Sequence, residues 1–302
     1  MQRAPLLLVP LLLLACGPSD GIVGIEPLGA AASNPAAFFD DFATDTGRWE
    51  DSTPVPGASV RFAAAEPTAS DGKVLRLVLP GQQGLAGQDF VGPDSATQLS
   101  TLQRFHFGTY RTRMAFGSCA TNEEAVMAFL GYFSDGRDAD GDGLTDDLEI
   151  DIQVACGTPR RAYLTVFTDD EPTPGRERFQ KSGRVVDFET GERFDTQAID
   201  SDRFFSAGVE ADALISEAFE PGQPFELGFE WHAESIRFFL QLQGAERDLW
   251  TLTGAERIPQ LPVHIMYNTW HPDSHWYPDS SAADYPSTDV VTSVDWVSFT
   301  PE

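Results

Sequence analysis

The sequence predicts an all-β protein that folds as a sandwich or jelly roll, and three observations support this prediction. Short segments of alternating apolar and polar residues recur between clusters of Gly, Pro and Asp. The 22 Phe and 6 Trp residues favour a broad, aromatic-rich sheet protein. No stretch of about a dozen residues has a convincing helical period.

Ten segments carry the strand pattern, and the rest of the chain supplies turns and loops. The predicted strands are Val60–Ala64, Val74–Val78, Tyr110–Phe116, Val126–Phe133, Glu149–Val154, Tyr163–Phe167, Phe225–Trp231, Ile236–Gln241, Val263–Tyr267 and Val294–Phe299. The polar segment Asp169–Glu220 is the least regular, and we expect long loops there. Because all-β domains commonly reach about 200–250 residues, we expect one domain over residues 37–302.

The N-terminal residues have the pattern of an export signal. Arg3 precedes an apolar run over residues 4–15, which is too short to span a bilayer and ends in a small residue. We therefore expect residues 1–15 to form a signal peptide. Export would bring the protein to a compartment in which disulfides form.

A cysteine follows the apolar run directly. Leu13-Leu14-Ala15-Cys16 resembles a bacterial lipobox, so we expect Cys16 to be acylated and to become the mature N-terminus. The resemblance implies sorting to the outer membrane, because Gly17 follows the cysteine in place of Asp. The Gly-, Ala-, Ser- and Pro-rich residues 16–36 would form a flexible tether. The membrane is then contacted only through the lipid. The alternative is ordinary secretion with an incidental cysteine.

The charge of the chain excludes one class of partner. The formal net charge is -27, and no basic cluster is present to neutralise phosphates, so nucleic acid is excluded. An acidic surface keeps exported proteins soluble and can hold divalent cations. We expect a soluble, monomeric domain.

The segment Leu148–Val154 alternates strictly between aliphatic and polar residues. A strand here would bury the aliphatic side chains and place Glu149, Asp151 and Gln153 together on its other face. A solvated strand face can carry such residues without a function. Two carboxyl groups held close together on one rigid strand are also what retaining hydrolysis of glycosidic bonds requires. The third residue, Gln153, cannot donate a proton.

An acidic loop leads into this strand. Residues 138–149 place acids at positions one, three and five, Gly at six and Glu at twelve, as in the calcium loop. We expect a structural Ca²⁺ held by Asp138, Asp140, Asp142, the Leu144 carbonyl, and Asp146 or Asp147. The alternative is an acidic solvated turn. If the twelfth residue, Glu149, were also a ligand, it would not be free for catalysis.

Two further cysteines flank the strands of one predicted hairpin. Cys119 lies before Val126–Phe133, and Cys156 lies after Glu149–Val154. In an oxidising compartment they can form a disulfide, and two separate buried thiols are the alternative.

Six segments of the chain carry motifs in a fixed order. They are Phe39-Asp40-Asp41-Phe42 with Arg48-Trp49, Gly108-Thr109-Tyr110-Arg111-Thr112-Arg113-Met114, Glu149-Ile150-Asp151-Ile152, Phe229-Glu230-Trp231 with Ser235-Ile236-Arg237-Phe238, Asn268-Thr269-Trp270, and Val294-Asp295-Trp296-Val297. In this order they resemble glycoside hydrolase family 16 over most of the chain. The resemblance implies a concanavalin A-like β-jelly roll of two curved antiparallel sheets, with a glycan cleft across the concave sheet.

The resemblance also implies roles for the polar residues of the central strand. Glu149 matches the nucleophile and Asp151 matches the residue that assists it. Gln153 stands where the family has the acid/base glutamate, and the next residue, Val154, supplies no acid either. The other acids and histidines that we consider as replacements are Asp147, Asp169, Asp170, His264 and His271.

The same resemblance suggests which residues bind a polysaccharide or oligosaccharide. The predicted binding residues are Arg113, Phe129, Phe167, Asn268 and Trp270, with Trp276 and Tyr277 at the rim. Core packing is the alternative for Phe129 and Phe167, and we expect Trp231 and Trp296 in the core. Three functions remain open: a weakened endo-β-glycosidase acting on β-glucan or galactan, an enzyme with another acid, and a non-catalytic glycan-binding protein.

Overall fold

The strands of the protein form two layers, and the candidate site lies on one of them. The computed structural model describes residues 36–54, 57–81, 97–120, 123–134, 136, 147–156, 160–168, 181–195, 215, 222–271 and 285–302. In chain order, the strands in these ranges are β1 (Phe38–Asp40), β2 (Trp49–Asp51), β3 (Ser59–Ala65), β4 (Lys73–Leu79), β5 (Thr97–Phe105), β6 (Gly108–Ala115), β7 (Val126–Ser134), β8 (Asp147–Ala155), β9 (Arg161–Thr168), β10 (Lys181–Asp187), β11 (Arg193–Asp195), β12 (Pro224–His232), β13 (Ser235–Leu242), β14 (Ala245–Thr253), β15 (Val263–Trp270) and β16 (Val290–Pro301). A 3-10 turn lies at Ala255–Arg257.

These strands pair into two antiparallel sheets. The first sheet has the order β14-β13-β12-β6-β16-β4-β3, with β1 also paired to β16. The second sheet has the order β11-β10-β9-β8-β7-β15-β5-β2. Strands far apart in sequence are neighbours, as where β15 lies between β7 and β5, so the chain crosses repeatedly between the layers. This is the all-β jelly-roll sandwich that the sequence predicts.

The core lies between the two sheets and follows from the period of two along each strand. On β8 the aliphatic residues Leu148, Ile150, Ile152 and Val154 all face the core, and none is more than 1 % exposed. Aromatic rings fill much of the remaining space, and the largest fully buried side chain is that of Trp231. The prediction that Trp231 is a core residue is confirmed.

Buried phenols are satisfied by partners inside the core. The Tyr110 hydroxyl donates a 2.5 Å hydrogen bond to the carbonyl of His106, and the Tyr267 hydroxyl lies 2.7 Å from the Thr112 hydroxyl. Burial raises the pKa of both tyrosines well above the ordinary value. Both rings therefore stay neutral, and their hydrogen bonds fix the packing beneath the candidate site.

All ten predicted strands are present, but the loop prediction for Asp169–Glu220 is wrong in part. Lys181–Asp187 and Arg193–Asp195 of that segment form β10 and β11 and extend the second sheet beyond β9. Their many polar residues conceal the strand pattern. Within the ranges above, no helix is long and apolar enough to cross a membrane.

Candidate functional site

Strand β8 places four polar side chains on the outer face of the second sheet, away from the core. These are Asp147, Glu149, Asp151 and Gln153, with exposed fractions of 8 %, 9 %, 0 % and 9 %. We call this outer face of the second sheet the carboxylate face. The arrangement follows directly from the strict alternation in the sequence. Successive residues on this face are about 6.6–6.8 Å apart along the strand, so Glu149 and Gln153 lie two such steps apart with Asp151 between them.

The strands beside β8 extend each polar residue into a row that crosses the sheet. The Glu149 row contains Phe167 of β9, Tyr132 of β7 and His264 of β15. Glu149 itself is 9 % exposed, and the other three members are half-buried. The carboxylate face is therefore most accessible along this row.

The Gln153 row lies further along the strands and is more deeply buried. It contains Tyr163 of β9, Ala128 of β7 and Asn268 of β15. Asn268 is 4 % exposed, and its Oδ1 has no hydrogen-bond partner among the described residues. Because an unsatisfied buried amide oxygen is costly, this atom is suited to accept a hydrogen bond from a bound ligand.

An apolar strip separates these two rows. Leu130 and Met266 are cross-strand neighbours next to Asp151, and with Ala128 they form a small cluster apart from the main core. Trp270 packs against Val126 at the end of the same face and is 6 % exposed. The face thus combines apolar side chains with carboxylates and amides, the mixture that sugar rings and their hydroxyl groups require.

His264 is the histidine of the Glu149 row, and its protonation state is defined by its contacts. Its Nδ1 lies 2.6 Å from the carbonyl oxygen of Thr101, which can only accept, so Nδ1 carries a proton. Burial lowers the pKa of His264 below its ordinary value, opposed by the Thr101 carbonyl, with smaller contributions from Arg104, which lowers it, and Glu50, which raises it. The ring is therefore neutral near pH 7.

Known structures share this architecture, although neither a family model nor a curated protein matches the sequence. The β-glucanase of Bacillus licheniformis has a TM-score of 0.52 at 16% identity, covering 89% of this chain and 100% of that chain. A β-1,3-1,4-glucanase (lichenase) from a mouse hindgut metagenome has a TM-score of 0.51 at 17% identity, and the match covers 88% of this chain and 100% of the glucanase chain. The chain has the fold of these glucanases. A glycoside hydrolase family 16 endo-glucanase from Bacteroides ovatus also matches, with a TM-score of 0.52, 12% identity, and coverage of 87% and 99%.

The assignment of Phe129 to the glycan-binding residues is wrong. Phe129 is fully buried on the core side of β7, where its ring stacks on Tyr267 at 5.4 Å and meets Phe229 of the first sheet at 5.8 Å. Its cross-strand neighbour on β8 is Ile152, which also faces the core. The alternative of core packing is therefore correct for this residue.

The assignment of Arg113 to the glycan-binding residues is also wrong. Arg113 lies on β6 in the first sheet, and its guanidinium forms an ion pair with the buried Asp295 and donates to the carbonyl of Thr68. Its neighbours Thr112 and Met114 face the core, so Arg113 points away from the second sheet. It lies on the opposite side of the sandwich from Glu149.

The structure brings the other predicted binding residues within the described ranges to the carboxylate face. Phe167, Asn268 and Trp270 all lie there, on the strands that flank the β7–β8 pair. The sequence predicts Trp296 in the core, but it is partly exposed on the outer face of the first sheet, beside Phe39. Its position on β16 alternates with the core residue Val297, which explains the difference.

Cys119 and Cys156 are joined by a disulfide, with their Cα atoms 5.4 Å apart. The bond ties the segment before β7 to the end of β8. Several further predictions concern residues outside the described ranges: the acylated cysteine, the replacement acids, the rim aromatics and the calcium ligands, namely Cys16, Asp169, Asp170, Trp276, Tyr277, Asp138, Asp140, Asp142, Leu144 and Asp146. Among the described residues, no group of three or more metal-binding side chains is present.

Two tyrosines of the carboxylate face are absent from the predicted site. Tyr132 is the neighbour of Glu149 on β7, and Tyr163 is the neighbour of Gln153 on β9. The run from Val126 to Phe133 is almost continuously apolar, so its sequence does not reveal which residues face outward. The cross-strand pairing with β8 supplies this information.

Proposed function

We propose that the protein acts on β-linked glycans, β-glucan or galactan, as a retaining endo-glycosidase with a weakened acid/base step. The observation that carries this proposal is that Glu149, Asp151 and Gln153 lie one after another along the same face of β8. The glucanase fold supports it, and so does the mixed apolar and polar character of the carboxylate face. Glu149 is the nucleophile in this proposal, Asp151 assists it, and Gln153 occupies the acid/base position.

In the first step, a Glu149 carboxylate oxygen attacks the anomeric carbon, and the bond from that carbon to the glycosidic oxygen breaks. Gln153 can donate a hydrogen bond to the leaving oxygen, but it transfers no proton, so solvent must supply one. In the second step, water attacks the anomeric carbon without a general base, the bond from that carbon to Glu149 breaks, and the water proton is lost to solvent. Since positioned acid–base catalysis contributes about 10²–10⁴-fold, both steps are slow on a natural glycan.

Glycan binding without cleavage is the second candidate function. It is favoured by Gln153 itself, because an amide keeps the hydrogen-bonding capacity of the position while removing proton transfer. Asn268, with its unsatisfied buried oxygen, would serve binding equally well in either case.

An activated leaving group separates the two candidates. A 2,4-dinitrophenyl β-glycoside leaves without a proton, so we expect one equivalent of dinitrophenolate per protein in a rapid burst. Mass spectrometry should find a glycosyl adduct on Glu149, and Glu149→Gln should abolish both signals. The matched control is Asp147→Asn, which changes another carboxylate of the same face and should retain the burst. Binding of the glycoside without a burst would support the second candidate and contradict the first.

We also propose that the protein is exported and attached to the bacterial outer membrane through acylated Cys16. The apolar run before this cysteine supports the proposal. Radiolabelled palmitate should be incorporated into the full-length protein expressed in a diderm bacterium, and Cys16→Ser should remove the label and release the protein from the membrane fraction. Labelling that persists in Cys16→Ser would contradict the proposal.

A further inference from the structure

The accessible part of the carboxylate face has the dimensions of a short track for a glycan. Adjacent strands lie about 4.7–4.9 Å apart, so the Cα atoms of Glu149 and His264, two strands apart, are separated by about 10 Å. Tyr132 of β7 lies between them in the same row. A chain of sugar rings crossing the sheet from Glu149 therefore passes over Tyr132 and reaches His264.

The second ring nitrogen of His264 has no protein partner among the described residues. Because Nδ1–H donates to the Thr101 carbonyl at 2.6 Å, the lone pair of the neutral ring is on Nε2. Among the described residues, Nε2 makes no hydrogen bond or ion pair, and the residue is only partly buried. The contact with Thr101 also fixes the ring orientation, so Nε2 is a positioned acceptor.

The charges around His264 keep it in this state. Arg104 is its cross-strand neighbour on β5, and Glu50 of β2 lies on the far side of β5, while Tyr132 is its neighbour on β7. Burial and Arg104 both disfavour a second proton, and together they outweigh Glu50 and the Thr101 carbonyl. A neutral acceptor suits a sugar hydroxyl, which donates one hydrogen bond and carries no charge.

We propose that His264 is a glycan-binding residue whose Nε2 accepts a hydrogen bond from a sugar hydroxyl two strands away from Glu149. The inference rests on the proposed glycan-binding function and applies to both the catalytic and the non-catalytic form of it. It adds a specific contact between His264 and a hydroxyl of a sugar unit that is remote from the glycosidic bond beside Glu149. His264 thereby contributes to the choice of glycan.

Two substitutions separate glycan binding by His264 from a purely structural role. Each one keeps the hydrogen bond of one ring nitrogen and removes that of the other. His264→Asn keeps an amide N–H close to the position of Nδ1, so it preserves the bond to Thr101 and removes the acceptor. His264→Gln places its amide near Nε2, so it preserves the acceptor and loses the bond to Thr101. We expect His264→Asn to be the weaker binder and His264→Gln to be the less stable protein.

Isothermal titration calorimetry in the Glu149→Gln background tests the proposal without cleavage, with laminaritetraose and a β-1,3-1,4-linked glucan tetrasaccharide as probes. For the glycan that binds, His264→Asn should raise Kd about 3- to 10-fold, the effect of one lost neutral hydrogen bond, and His264→Gln should stay within about 2-fold. Equal Kd values for His264→Asn and the parent, or an equal loss in both folded variants, would overturn the role of Nε2. If the parent binds neither these probes nor a galactan oligosaccharide, the proposed function fails, and this inference fails with it.

Discussion

Phe129 and Phe167 provide a matched test of which side of the second sheet binds glycan. The two residues are chemically identical and lie on strands on either side of β8, but Phe129 faces the core and Phe167 lies on the carboxylate face. Substitution of each by Ala removes the same atoms from opposite sides of one sheet. A difference between the two variants therefore reports the environment of the ring.

The expected loss of stability for Phe129→Ala follows from its burial. The ring is fully buried between Tyr267 and Phe229, at centroid distances of 5.4 Å and 5.8 Å. Removing a buried Phe costs about 3–5 kcal/mol, and the larger end applies because two aromatic contacts are lost as well. For a domain of this size, this lowers Tm by about 10 °C. Phe167→Ala should cost less than about 1 kcal/mol, since that ring is only half-buried.

Urea unfolding with the disulfide intact measures the stability, and calorimetric titration with a β-glucan oligosaccharide measures the affinity of the folded protein. Phe129→Ala should be destabilised with unchanged affinity, and Phe167→Ala should be stable with affinity reduced several-fold. If Phe129→Ala does not fold, Phe129→Leu should show the same pattern at about 1–1.5 kcal/mol. A Phe129→Leu variant of wild-type stability that binds glycan poorly would refute the placement of this ring in the core.

Three further predictions concern stability. Hydrogen bonds from Arg237 lower the pKa of Glu230 and Glu246 below 4.5, so the stabilisation from these ion pairs is present above that pH and is lost as the pH falls through the folded-state pKa. Arg237→Ala should therefore reduce the fall of Tm between about pH 5 and pH 3. Each ion pair should contribute less than about 1 kcal/mol to the free energy of unfolding, because all three side chains are partly exposed. The disulfide closes a loop with a sequence separation of 37, so Cys119→Ser with Cys156→Ser should cost about 3–4 kcal/mol in urea unfolding, and an unchanged midpoint would contradict this. If the loop of residues 138–149 holds Ca²⁺ as the sequence predicts, a chelator should lower Tm, and added Ca²⁺ but not Mg²⁺ should restore it; a Tm that does not respond would exclude the predicted calcium loop.

The sequence was most informative where polar and apolar residues alternate. On β8 the alternation predicts the core residues and the site residues together, because a period of two assigns both faces of a strand at once. On β7 the nearly continuous apolar run has no such period. The sequence therefore offers no test of the resemblance, which alone assigns Phe129 to the cleft, and it gives no indication that Tyr132 faces outward.

Position in one sheet or the other is a long-range property that a local pattern does not contain. Arg113 alternates correctly with the core residues of β6, but only the pairing of β6 with β12 and β16 places it in the first sheet. The sequence does not predict strand β5, for a related reason. Its polar residues and the register shift opposite His264 and Met266 interrupt the alternation, and its pairing with β15 defines it.

The Gln153→Glu variant tests most directly whether this face is a glycosidase site that lacks its acid. We expect this variant to release reducing ends from a β-glucan or a galactan about 10²–10⁴-fold faster than the wild type, because it supplies the proton that Gln153 cannot. Gln153→Asn, which restores no acid, should remain as slow as the wild type. A folded Gln153→Glu protein that binds the glycan but cleaves it no faster than the wild type would contradict the account.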